Sequence, residues 1–293
     1  SRSSRSSSFA SEQTLSIDWT DDIFNGKFLK GWDTEPVVIE SHKLLFYTIP
    51  KNACTEFKTL FQRMNGRDWR LPNTKDRELY APCCNGLSYL SNFSRMNQLE
   101  FMTSPEWTRA IFLRDPIERL LSAYNDKVVH TSHFQNTTVY KVCKNPQTIH
   151  FLGENVSFAY FVETCLPACD DDHWRPQSKR MKDANWKTIN FIGRMENLKE
   201  DTHKLLKQIG AFEEFGTVGW GSHNGTIFDG YKGTHARKKK PKNVFVENPK
   251  LEKLVMTHYY NDYVHPIMNL TKPKKWELMF DRKSIDTSSP VRR

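Results

Sequence analysis

The chain has 293 residues, 38% of them apolar, enough to bury a sizeable core as one large domain or a domain with appendages. Its 43 Lys and Arg against 34 Asp and Glu give a formal charge of +9, so anionic partners are expected: nucleic acid, a membrane surface, a nucleotide or an acidic polysaccharide. No apolar run reaches the ~18 residues that span a bilayer, and no secretory signal is expected from these residues.

Residues 1–16 are rich in Ser and Arg, have little to bury, and are expected to be a disordered stem. They open Ser1-Arg2-Ser3-Ser4-Arg5 without methionine, which fits a fragment or processed form and leaves room for an N-terminal anchor outside this sequence. Trp19, Phe24, Phe28 and Trp32 are scattered through 17–40 and are expected to lie across the domain surface. The run from Leu44 to Ile49 then reads as a buried strand, stopped by Pro50, which has no N–H for a ladder. Phe57, Leu60, Phe61 and Met64 follow at helical spacing. Strand, tight polar turn with Lys51, and helix make the layout of a phosphate cradle: the first helical N–H groups and the helix dipole favour an anion, and Lys51 adds a full charge. Thr55 is a candidate cap or hydroxyl ligand. The Walker pattern G-x-x-x-x-G-K-[ST] is absent, and the same stretch also fits an ordinary strand-turn-helix with a surface lysine.

Residues 65–100 are polar and broken by Pro72, Pro82 and Gly86, and read as an irregular insertion. A second strand, Ala110–Leu113, runs straight into a helix start. There Asp115 is the expected N-cap, Pro116 sits at N1, and Glu118 is placed to close a capping box. Ile117, Leu120, Leu121, Tyr124 and Val128 form its apolar stripe, while Asp115, Arg119, Ser122 and Asp126 fall on the other face. A helix is expected from Ser157 to about Cys165, a polar loop at Asp170–Pro176, a third strand over Thr188–Gly193, and a helix through Leu198–Ile209 ended by Gly210. Residues 215–243 read as a long Gly- and Lys-rich loop, and a last helix starts at Asn248-Pro249. Strands alternating with helices predict a central parallel sheet covered on both faces.

The six cysteines, Cys54, Cys83, Cys84, Cys143, Cys165 and Cys169, do not form C-x-x-C knuckles, so zinc is not expected. Cys54 reads as small and buried, and the other five leave room for two disulfides and one thiol, which favours an oxidising compartment. Five N-x-[ST] sequons, at Asn92, Asn136, Asn155, Asn224 and Asn269, exceed chance only slightly.

Two strand-to-helix turns with cations, at Lys51 and Arg114, would face one crevice beyond the carboxyl ends of a parallel sheet and suit a ligand with phosphates at both ends. Alone, Arg114 and Ser122 would read as surface residues near a cap. Together with the Lys51 loop they form a pattern. Pro50-Lys51-Asn52-Ala53-Cys54-Thr55 resembles the 5′-phosphosulfate loop of Golgi carbohydrate sulfotransferases. Arg114-Asp115-Pro116 through Ser122 is similar to their 3′-phosphate motif. The likeness covers about residues 44–270 and is nearest to the chondroitin and dermatan 4-O-sulfotransferase group, which also carries a later histidine-tryptophan near paired cysteines, as in Cys165 to Trp174.

This resemblance implies an α/β, P-loop-like three-layer fold with a sulfotransferase domain at 17–275 between the stem and a tail at 276–293. It implies the donor 3′-phosphoadenosine 5′-phosphosulfate (PAPS), with adenosine 3′,5′-bisphosphate as product, no metal, and a glycan or other hydroxyl-bearing acceptor. Nucleic acid is not expected as a partner, and the membrane only through an N-terminal anchor absent from this chain, as in a type II protein of the Golgi lumen. Lys51 would stabilise charge on the departing phosphate, and Pro50, Asn52, Ala53, Cys54 and Thr55 would complete the loop. Arg114 and Ser122 would hold the 3′-phosphate, and Arg237 and Lys238 resemble a capping loop, although a basic run also reads as a solvated face. His173 is the candidate general base, with Trp174 to stack on a sugar and Arg175 to meet an acidic glycan; Glu100 and Glu106 compete for the base role. A nucleotide-dependent kinase and a non-catalytic basic glycan-binding protein are the other readings.

Overall fold

The computed structural model describes residues 35–67, 85–129, 157–217, 228 and 248–273. Its strands are β1 (Val37–Ile39), β2 (Leu44–Tyr47), β3 (Ser88–Tyr89), β4 (Thr108–Leu113) and β5 (Phe191–Arg194), in one sheet of order β3-β1-β2-β4-β5. β2, β4 and β5 are parallel neighbours, with Tyr47 opposite Ile111 and Leu113 opposite Arg194. β1 runs antiparallel to β2 and β3. The longer helices are α1 (Cys54–Met64), α2 (Arg95–Thr103), α3 (Pro116–Tyr124), α4 (Asp183–Thr188), α5 (Leu198–Gln208), α6 (Pro249–His258) and α7 (Tyr260–Val264).

β2 and β4 read as continuous apolar runs because both faces of the sheet are covered. Leu44, Phe46, Ala110 and Phe112 point to the layer of α1 and α5, where Phe57, Phe61, Leu205 and Leu206 are buried. Phe57 lies between Phe46 and Phe112, with ring centroids 4.6 and 4.5 Å away. Leu45, Tyr47, Ile111 and Leu113 point the other way, onto Leu120, Phe161, Trp174, Trp186 and Tyr259. The expected three-layer α/β architecture is therefore present.

Several boundaries differ from the expectation. β1 falls inside a stretch read as surface, and β3 and α2 inside one read as irregular. β1 and β3 are only three and two residues long, and α2 buries just Phe101 and Met102, so none of the three produces a readable period. The third strand begins at Phe191, because Thr188 belongs to α4, where its hydroxyl bonds the Asn185 carbonyl. The expected helix is present over 158–168, capped by Ser157, but its middle turn, Phe161–Cys165, is π-helical. The stem, the aromatics from Trp19 to Trp32 and the C-terminal tail lie outside the described residues. So does most of the 215–243 loop, where the described Phe228 is buried against Phe57. Among the described residues no helix is long and apolar enough to cross a membrane.

Candidate active site

The turn after β2 contains no glycine, yet Lys51 and Ala53 both have positive φ, 72° and 57°. Non-glycine residues hold such angles at a cost and only where their surroundings fix them. The surroundings here are specific. The Asn52 N–H closes the turn on the Ile49 carbonyl at 3.1 Å, and its buried side-chain amide donates to the Phe112 carbonyl and to Gln177 Oε1. Arg119, fully buried, donates from Nε to the Pro50 carbonyl at 3.0 Å. Ala53, and not Thr55, is the N-cap of α1, and no side chain caps this helix. Cys54 and Thr55, both half-buried, form its first turn. The loop therefore combines αL backbone, an uncapped helix N-terminus and a lysine, which together suit an anion.

The β4 turn lies directly beside it. Arg114 Nη1 donates to the Lys51 carbonyl at 2.9 Å, while Nη2 is 3.9 Å from Glu118. Asp115 caps α3 as expected, accepting from the Ile117 and Glu118 N–H groups, with Pro116 in the first turn. Glu118 does not close the box, because the Asp115 N–H donates instead to Glu196. Burial raises the Asp115 carboxyl above its usual range, against the pull of its N–H bonds and the Tyr263 hydroxyl. Gln177 stitches the two turns together. Its Oε1 accepts from Asn52 and from the Arg114 N–H, and its Nε2 donates to the Arg114 carbonyl. Asp262, itself fully buried, accepts the N–H groups of Gln177 and Ser178.

The polar face of α3 does not meet open solvent. Arg119 ties it to the Pro50 carbonyl, and its Nη atoms reach the Arg175 and Asp172 carbonyls at 2.7 and 2.8 Å. Desolvation pushes the Arg119 guanidinium below its ordinary value. Farther along, Asp126 lies in a π-helical turn, Asn125–Val129, and receives Lys51 Nζ at 2.8 Å. Ser122, half-buried, falls between Arg119 and Asp126 on the same helical face. Its hydroxyl makes no hydrogen bond among the described residues.

His173 belongs to the same neighbourhood through the 170–176 loop that Arg119 holds. Its ring Nδ1 lies 2.7 Å from Oδ1 of the buried Asp171, which also accepts the His173 N–H. Burial alone would raise the Asp171 carboxyl, but the bonds and charge of His173, with Lys127 beyond, hold it below the usual carboxylate range. With Nδ1–H donating to Asp171, Nε2 is the nitrogen left to take a proton. Trp174, expected to stack on a sugar, has no exposed face to do so. Trp174 is fully buried, donating to the Cys169 carbonyl and packing edge-on against Phe161. Arg175 is paired with Asp170 and Asp172. Glu106 sits before β4, at the opposite end of the sheet, in an ion pair with Lys43, and the exposed Glu100 lies on α2 just ahead of it. Neither shares an edge with Lys51.

Cys169 is disulfide-bonded, and not to Cys165. Cys165 is a free thiol whose pKa burial raises to about 11. Arg237 and Lys238 lie outside the described residues. Sequence reasoning missed the parts played by Asp126, Gln177, Arg119 and Asp262. Asp126, four residues after Ser122 on a polar face, carried a readable signal; Gln177 carried none.

A family model described as "Sulfotransferase family" matches residues 35–265. Carbohydrate sulfotransferase 9 of Homo sapiens is 26% identical over 259 residues, 80% of this chain and 53% of that protein. Carbohydrate sulfotransferase 11 of Rattus norvegicus is 27% identical over 59% of this chain and 52% of its own length. Carbohydrate sulfotransferase 10 of Xenopus laevis is 24% identical over 59% and 52%. The chain spans about half the length of the curated relatives it matches. No solved structure matches it.

Proposed function

This chain belongs to the sulfotransferase family, and we propose that it transfers a sulfuryl group from PAPS to a hydroxyl of a glycan. The observation that carries the donor is the pairing of the two turns: Lys51 and Arg114 end adjacent parallel strands and are joined through the Lys51 carbonyl at 2.9 Å. An uncapped helix, two αL residues and two cations on one sheet edge fit a nucleotide with phosphates at both ends. The carbohydrate acceptor rests on the relatives, each named as a carbohydrate sulfotransferase. A Golgi-lumenal setting accords with them and with the disulfide at Cys169.

PAPS, when bound, supplies a sulfuryl group on a phosphate able to leave. Lys51 and the first N–H groups of α1 hold the charge that grows on that phosphate. Arg114, with the donors not committed to the Lys51 carbonyl, and Ser122 hold the 3′-phosphate. His173, oriented by Asp171, takes the acceptor proton at Nε2. Capping-loop contacts from Arg237 and Lys238 belong to the same proposal.

Calorimetry without added metal tests the donor. Adenosine 3′,5′-bisphosphate is expected to bind tightly, and adenosine 5′-monophosphate at least tenfold more weakly for lack of the phosphate at Arg114, a loss of about 1.5–3 kcal/mol. Equal binding of the two, or tight binding of ATP only with Mg²⁺, would overturn the reading. Labelled PAPS offered to a panel of glycans then identifies the acceptor.

A further inference from the structure

We propose that Asp126 is the positioning residue for Lys51, holding its ammonium in line at the mouth of the β2 turn while opposing the binding of anions there. The inference rests on the sulfotransferase reading above. Lys51 is constrained at both ends. Its carbonyl is held by Arg114, and its Nζ sits 2.8 Å from Asp126 Oδ2. The same oxygen is 3.3 Å from Lys127 Nζ, so one carboxylate separates two ammonium groups that would otherwise repel. The contact is largely shielded, with side chains 12% and 21% exposed, and so is less screened than a surface pair. The π-helical turn that carries Asp126 directly continues α3, whose polar face already bears Arg119 against the loop.

Any anion accepting from Lys51 Nζ lies within two hydrogen-bond lengths of the Asp126 carboxylate. The two negative charges repel at that range, so Asp126 weakens the binding of a phosphate while directing the lysine that serves it. Affinity and turnover should then respond to its removal with opposite signs. A residue that merely supports the fold would move both in the same direction.

The test measures adenosine 3′,5′-bisphosphate affinity by calorimetry, and kcat at saturating PAPS and acceptor, for Asp126→Asn, Asp126→Ala, Lys51→Ala and the double variant Lys51→Ala/Asp126→Asn. Asp126→Asn is expected to bind the bisphosphate about three- to tenfold more tightly, yet to turn over about tenfold more slowly. Asp126→Ala, which cannot accept from the lysine, should lose more turnover than Asp126→Asn. In the Lys51→Ala background Asp126→Asn should have no further effect on kcat. Weaker binding together with slower turnover would assign Asp126 a structural role and overturn the proposal, as would unchanged values of both. If Lys51→Ala itself turns over normally, the sulfotransferase role of Lys51 fails first, and the tighter binding in Asp126→Asn then stands or falls separately by calorimetry.

Discussion

Lys51 and Arg114 are both cations at strand ends, but their surroundings separate their tasks. On the proposed reading, Lys51 offers an ammonium held by Asp126 at an uncapped helix, where charge develops only as a bond breaks. Arg114 offers a guanidinium already fixed by the Lys51 carbonyl, suited to charge present from the start. Lys51→Ala is therefore expected to lower kcat by about 10²–10³-fold with modest change in bisphosphate affinity. Arg114→Ala should instead weaken bisphosphate binding by about 1.5–3 kcal/mol. Steady-state kinetics and calorimetry on the two proteins check the contrast, and identical profiles would refute it. His173→Gln is expected to bind the bisphosphate normally but to transfer sulfate about 10²–10⁴-fold more slowly. Asp171→Asn should show a smaller loss in the same step, since it removes the group that orients the ring. Wild-type turnover in His173→Gln would remove the histidine from the mechanism.

One buried amide adds to the bonds that already join the two strand-turn-helix units. Gln177 is fully buried and bonds Asn52, both backbone groups of Arg114 and, through its own N–H, Asp262. Gln177→Ala strands polar groups at both turns. It is expected to cost about 2–3 kcal/mol of stability by chemical denaturation and to weaken bisphosphate binding, although Gln177 touches no phosphate. Unchanged affinity in a folded Gln177→Ala protein would show that the turns keep their spacing without it. This dependence also marks what could be read from the sequence. The Lys51 and Arg114 turns were legible because strand composition, Pro50, Pro116, the Asp115 cap and helical spacing are local signals. Gln177 was illegible because its partners lie 63 to 125 positions away. Trp174 was misassigned for the same reason: beside a histidine and an arginine it reads as a binding aromatic, and only packing against Phe161 reveals a core residue.

At the scale of the whole molecule, the response to acid is a sum over buried groups both inside and outside the candidate site. His258, at the end of α6, is held down to about 4 by burial, with the Lys179 charge adding, and its Nε2 has no hydrogen-bond partner among the described residues. Its folded pKa lies below the ordinary value of 6.5, so between pH 6.5 and about 4 the unfolded chain binds the extra proton and stability falls as pH falls. Across that window the loss should approach about 2–3 kcal/mol. Burial shifts His265 in the same direction. Asp115 and Asp262, raised by burial, act oppositely, since the folded state takes their protons first on acidification. Denaturant midpoints measured from pH 7 to 4 should decline, and His258→Gln should flatten the decline. An unchanged slope in that variant would place the acid sensitivity elsewhere.

Ala53 carries a trade-off between endurance and use. As an αL residue at the start of α1 with no side-chain cap, it forgoes the ~1 kcal/mol that a capping side chain typically contributes, and holds an angle that alanine disfavours. Ala53→Asp tolerates that angle, but sets a permanent negative charge where the donor's phosphate would come to rest. It should raise the melting temperature while reducing bisphosphate affinity, and a protein that gained both would contradict the site's location. A screen for heat resistance alone would accordingly favour, at this position, a sturdier protein with blunted chemistry.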